Sequence, residues 1–216
     1  MSKVDRSCLL FGLIGGSELI VMSTILGALL PGYDPIRQTI SEIGEQGSTF
    51  ERIFQITLIV RAVCFIVFAY GAYRFSSLRH VSVLPAIALS FLGLMDLGQR
   101  FFASPHPLHN LFGIPKLFAM LAPLLLAISW PRAPDLRIVR RVSGVVGALV
   151  LISIALNLAP VFVSLETVRT SAPWIEDHYG LIQRTLFIFF AWCVFLAVAL
   201  FQHAASVNQT DLTRTA

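Results

Sequence analysis

The chain has 216 residues, of which 56% are hydrophobic and only 13% charged, with a formal net charge of +4. A soluble domain carries about a quarter of its residues as charges, so this balance excludes an ordinary soluble fold. No basic face stands apart from the short loops, which argues against a nucleic-acid partner. The three cysteines, Cys8, Cys64 and Cys193, sit in apolar runs without metal-type or disulfide spacing.

A window of about 20 residues divides the chain into apolar runs at 8–30, 53–75, 81–103, 108–130, 142–164 and 179–202. Backbone groups in lipid must be satisfied within their own segment, so each run is expected to be a helix. The expected fold is an all-α membrane bundle of six transmembrane helices in one domain spanning 1–216, with a short disordered tail at 205–216. Lys3 and Arg6 precede the first run, which is longer than a signal-peptide core and lacks a clear cleavage site, so it reads as a retained helix carrying Glu18.

The connection at 31–52 is not featureless. Asp34 followed by Pro35 suits a helix start and Gly44 a stop, with Ile36, Ile40 and Ile43 at helical spacing and Arg37, Gln38, Ser41 and Glu42 on the other surface. The spacing predicts a short amphipathic helix over 34–44, either a plain connector or a lid over a site. Ser48 and Glu51 match a capping box for the second run, which carries Arg61.

On the third run Asp96, Gln99 and Arg100 share one helical face. Residues 104–110 read Ser-Pro-His-Pro-Leu-His-Asn, where Pro107 breaks an incoming helix and is tolerated in the first turn of the next. His109, Gly113 and Lys116 then form one stripe of the fourth run. The fifth run has no charge, only Asn157 and Pro160, and reads as a supporting wall. Trp174 and Tyr179 suit an interfacial aromatic belt around Glu176, Asp177 and His178. In the sixth run Asp177, Gly180 and Arg184 share a face if its helix begins a turn before Tyr179.

Nine Lys and Arg residues fall on the side of the two termini and four on the other, which predicts cytoplasmic termini and a plasma (inner) membrane protein. Asp34, Glu42, Glu45, Glu51, Glu166, Glu176 and Asp177 gather on the outer side with His106, His109 and His178. Charges at membrane depth are costly and mark sites by default. At about 1.5 Å per residue, Arg61, Asp96, Lys116 and Arg184 lie roughly 8–12 Å below the outer ends of their runs, and Glu18 about 18 Å. Three cations against two anions suggests a buried network with one cation left over, lining an outward-facing pocket.

That network can be an ion-pair lattice, a site for an anionic headgroup or substrate, or a proton or ion pathway. In the second reading Arg184, Lys116, Arg61, Glu18, Gln99, Gln183, Ser41 and Glu42 contact the ligand. His109 or His178 would transfer protons with help from Asp96 or Glu176. His106, His109 and His178 with Glu176 or Asp177 are the candidates for a metal, although the broken His-x-x-His spacing commits to none. Ser41 lacks a Gly-x-Ser-x-Gly setting for a nucleophile.

Two segments carry a resemblance: Asp34-Pro35-Ile36-Arg37-Gln38-Thr39-Ile40-Ser41-Glu42-Ile43-Gly44, and Gly180-Leu181-Ile182-Gln183-Arg184. With a histidine, His106 or His109, opening the fourth run, the chain resembles a prokaryotic six-helix membrane family known only as the domain of unknown function nine hundred and ninety-eight. The resemblance covers nearly the whole chain. It implies six spans and marks Ser41, Glu42, Gln183 and Arg184 as shared positions, but supplies no substrate, reaction or cofactor. Paired His106 and His109 stand where that family has one. The sequence leaves three roles open: an enzyme acting on a lipid or other anionic amphiphile, a small lipid or solute carrier, and a structural or partner-binding protein. Membrane lipids are the expected partners.

Overall fold

The computed structural model describes residues 1–131, 134–162 and 173–214. Arg132, Glu166 and Arg169, counted above in the loops, lie outside them, as does the end of the fifth run. The described residues are mostly helical and contain no strand. In chain order the helices are α1 (Lys3–Leu9), α2 (Phe11–Leu29), α3 (Ile40–Ile43), α4 (Glu51–Leu78), α5 (Leu84–Phe101), α6 (His109–Ala119), α7 (Ala122–Ser129), α8 (Arg137–Phe162), α9 (Pro173–Asp177), α10 (Tyr179–Arg184) and α11 (Phe187–Arg214).

Among the described residues five segments are long and apolar enough to cross a membrane: Lys3–Leu29, Glu51–Leu78, His109–Ser129, Pro134–Pro160 and Tyr179–Ser206. They make the chain an integral, multi-pass membrane protein. The third expected run is present as α5 but is not among the five, because Asp96, Gln99 and Arg100 crowd its last two turns. Exposed apolar side chains such as Ile14, Val21 and Ile25 on α2, and Ile56, Val60 and Val63 on α4, cover the outer faces. In water such a surface would be a liability. Against acyl chains it costs nothing.

Several expected single helices are interrupted. Pro115 within α6 and Pro123 in the first turn of α7 each lack a donor, and the fourth run divides between them. The sixth run breaks after Arg184, where Thr185 Oγ1 donates to the Ile182 carbonyl at 2.6 Å, a local bond that competes with the helix ladder. The helix does not begin a turn before Tyr179; α9 ends at Asp177 and His178 caps a new start. At its other end α11 continues to Arg214.

The core forms where α4 packs on α5 and α2, and α11 on α2 and α8. Phe65, Phe68, Phe189, Phe190 and Trp192 are fully buried at its centre. Gly12 and Gly16 let α2 and α11 approach closely, as small residues do between membrane helices. A Cβ on Gly16 would lie 2.6 Å from the Phe190 carbonyl oxygen.

Candidate functional site: a roofed cavity beside a buried ion cluster

Four of the five ionisable groups come together. Arg61 Nε and Nη2 donate to the two oxygens of Asp96 at 2.8 and 3.1 Å, a forked pair between α4 and α5. Arg61 Nη1 reaches Glu18 Oε2 on α2 at 3.1 Å. Lys116 Nζ on α6 donates to Asp96 Oδ1 at 3.1 Å and to Gln99 Oε1. The Asp96 side chain is 0% exposed and that of Arg61 2%. The length of Arg61 lets Glu18 join from its greater depth. The cluster is balanced, two cations against two anions, so the spare cation of the charge count is not here.

That spare cation is Arg184, which lies apart and binds the 33–40 segment instead. Its Nη1 donates to the carbonyls of Pro35, Gln38 and Gly180 at 2.7, 3.1 and 2.9 Å, and its Nη2 to Tyr33 Oη at 2.6 Å. Burial pushes the Tyr33 phenol above its ordinary value, against the pull of that guanidinium. Gln183 Oε1 accepts from the Ile40 amide at 2.6 Å, and the amides of Gly180 and Leu181 donate to Arg37 and Ile36 carbonyls at 3.1 and 2.9 Å. A Cβ on Gly180 would lie 2.2 Å from the Gln38 carbonyl oxygen, so only glycine fits there. The two segments that carry the family resemblance are thus one latch.

The latched segment is not the continuous helix expected over 34–44. Asp34 caps only a turn, through the Ile36 amide at 2.9 Å. The helix proper is α3, capped by Thr39, whose amide and hydroxyl both bind Glu42 Oε1 at 2.8 Å. Ile40 and Ile43 anchor it in an apolar patch with Leu26, Phe54 and Leu58. Ser48 and Glu51 do not form a capping box; α4 starts after Phe50, and Ser48 Oγ donates to the Ile43 carbonyl at 2.7 Å. Gln46 ties the segment to the next connection through the Ser104 carbonyl at 2.8 Å.

Beneath this roof lies a cavity of about 270 Å³. Its lining includes the apolar Leu19, Leu58, Leu117, Leu158, Phe187 and Phe190. It also includes the polar Ser41, Gln99, His109, Asn110, Lys116 and Gln183. His109 Nδ1 lies 2.7 Å from the Phe102 carbonyl oxygen and Nε2 lies 3.3 Å from Ser41 Oγ. A carbonyl can only accept, so in the neutral ring Nδ1 carries the proton and Nε2 faces Ser41 with a lone pair.

Of the residues singled out in the sequence, Ser41, Gln99, His109, Lys116 and Gln183 meet at the cavity. Asp96, Arg61 and Glu18 stand behind Lys116. Glu42 and Arg184 hold the roof. His106 stays outside the lining, accepting the Leu108 amide at Nδ1, 3.1 Å away. The exposed His178 and Glu176 are also outside it, with His178 Nδ1 directed at the Trp174 carbonyl. Among the described residues no three His, Cys, Asp or Glu side chains group to hold a metal, so the three histidines form no such centre.

Sequence reasoning gave no site role to Thr39, Ser104, Asn110, Asn157 or Tyr179, reading Asn157 as part of a supporting wall and Tyr179 as interfacial, yet all five line the cavity. Asn157 is more than wall: its Nδ2 donates to Ser153 and Ile182 carbonyls at 2.8 and 3.2 Å, and its own carbonyl accepts from Tyr179 Oη at 3.1 Å. A lone asparagine in an otherwise apolar run was the available signal.

No curated protein and no solved structure matches the chain. The cluster, the latch and the cavity all lie within residues 14–201, the stretch matched by the model of one family, and the chain belongs to it: the family described as protein of unknown function (DUF998).

Proposed function

We propose that the protein is a plasma-membrane enzyme acting on an amphiphile with an anionic group. The observation that carries this reading is a cavity whose lining combines apolar side chains such as Leu58, Leu158 and Phe190 with Lys116 and His109. An acyl chain suits the apolar lining residues and a charged headgroup the polar ones. Lys116 is the cation that contacts the ligand, and the 16% exposure of its side chain supports this role. Asp96, Arg61 and Glu18 position it. His109 transfers protons. With α5 as a sixth crossing and the lysine and arginine bias setting both termini in the cytoplasm, the roofed end faces outward and the cavity draws on the outer leaflet.

The test is a native mass spectrum of the full protein released from mild detergent. The wild type is expected to carry an anionic lipid. K116M should retain it about tenfold less, the equivalent of losing one charge-assisted hydrogen bond. A wild type that carries no anionic lipid, or equal retention by K116M, overturns the reading.

A further inference from the structure

We infer that Ser41 is a nucleophile and His109 its general base, so that the cavity cleaves a carboxylic ester of the amphiphile. This rests on the preceding reading of the cavity. The geometry is that of an activated hydroxyl: a base within reach of Oγ, itself oriented by a third group. Here the third group is a backbone carbonyl. Phe102 accepts the Nδ1 proton at 2.7 Å, which leaves Nε2 basic toward Ser41 Oγ at 3.3 Å. Such contacts are commonly loose before substrate binds and tighten with it. No strained elbow is needed to expose the hydroxyl, because the roof delivers Ser41 on α3 to the histidine on α6 from above. The latch of Gln183 on the Ile40 amide, one residue away, fixes that approach. Both side chains line the cavity, as do Asn110 and Lys116, whose N–H groups are donors for an oxyanion.

The step balances without a cofactor. Ser41 Oγ gives its proton to His109 Nε2 and adds to the ester carbonyl carbon. The tetrahedral adduct collapses, the carbon–alkoxy bond breaks, and the Nε2 proton goes to the leaving alcohol. Water then loses a proton to His109, attacks the acyl-serine carbonyl, and releases the carboxylic acid while the proton returns to Ser41 Oγ. An acceptor alcohol in place of water makes the same step a transfer.

A phosphonofluoridate probe with an alkyl tail tests this on the full protein in detergent. Attack by Ser41 forms an oxygen–phosphorus bond and expels fluoride, and peptide mass spectrometry locates the adduct. The expected result is an adduct at Ser41, none in S41A, and labelling about a hundredfold slower in H109Q, the usual range for a lost general base. S17A, on the exposed face of α2, should label as the wild type does. Lipid retention in the native mass spectrum checks that each variant is folded; if S41A fails that check, the wild-type adduct site and the H109Q rate still decide. A wild type that keeps its lipid yet stays unlabelled, or is labelled elsewhere, overturns the dyad and leaves the amphiphile reading standing. Labelling at Ser41 without lipid retention supports the dyad and overturns that reading instead.

Discussion

Arg61 illustrates how much one side chain can decide when the surroundings are dry. Its guanidinium serves Asp96 with a fork and Glu18 with a single bond, and all three charges are withdrawn from solvent. Removing one partner of a buried pair strands the others and costs about 3–5 kcal/mol, whereas removing charges in balance costs far less. R61M alone should therefore lower stability by about that amount in denaturant titrations of the detergent-solubilised protein. R61M/D96N, which leaves Glu18 and Lys116 in charge balance, should lose less than the single variant. Equal losses would mean that the cluster acts through packing rather than charge. The participants were legible in the sequence, because an ionisable residue in an apolar run stands out. The partner assignments were not. The charge count left one cation over without saying which; it is Arg184, whose helix turns it toward backbone carbonyls of the roof, where a guanidinium finds acceptors without any carboxylate.

At the scale of elements, α3 is too short to be stable alone, since one helical turn fixes more torsions than its hydrogen bonds repay. It exists because the Thr39–Glu42 capping box, the Ile40 and Ile43 anchors and the α10 latch converge on it. Two substitutions test the latch among these supports. Q183A removes the acceptor for the Ile40 amide, and G180A forces a methyl group against the Gln38 carbonyl. Each should raise hydrogen exchange at Ile40–Ile43 by about tenfold or more, the effect of losing roughly one hydrogen bond's worth of local stability. Unchanged exchange would show that the capping box and the apolar anchors hold the roof without the latch. The expected helix over 34–44 failed here for a local reason: Asp34 and Pro35 satisfy the preferences of a helix start, but they serve a turn, and Thr39 offers the better reciprocal cap.

For the molecule as a whole, the charge bias predicts which end of the bundle faces the cytoplasm. In a background with Cys8, Cys64 and Cys193 replaced by alanine, single cysteines at Ser2 and at Gln46 should react with a membrane-impermeant maleimide from opposite faces. Ser2 should react only from the cytoplasmic face and Gln46 only from outside; both positions are exposed. Labelling from one common face would remove Lys3–Leu29, the span between the two positions, as a crossing.

What the sequence determined by itself is the solvent and the secondary structure. Long apolar runs can only be helices in lipid, and the cost of a charge there made Glu18, Arg61, Asp96 and Lys116 visible one by one. Tertiary structure alone decided which of two histidines reaches the cavity. Pro107 and the turn at 106–109 aim His106 at the local backbone and His109 at Ser41, 68 residues away in the chain. It also decided that residues 33–40 and 180–184 meet. Helical periodicity specifies the face on which a side chain sits, but which faces become neighbours depends on close approaches such as that of Gly180 to Gln38, and these have no signature until the chain has packed.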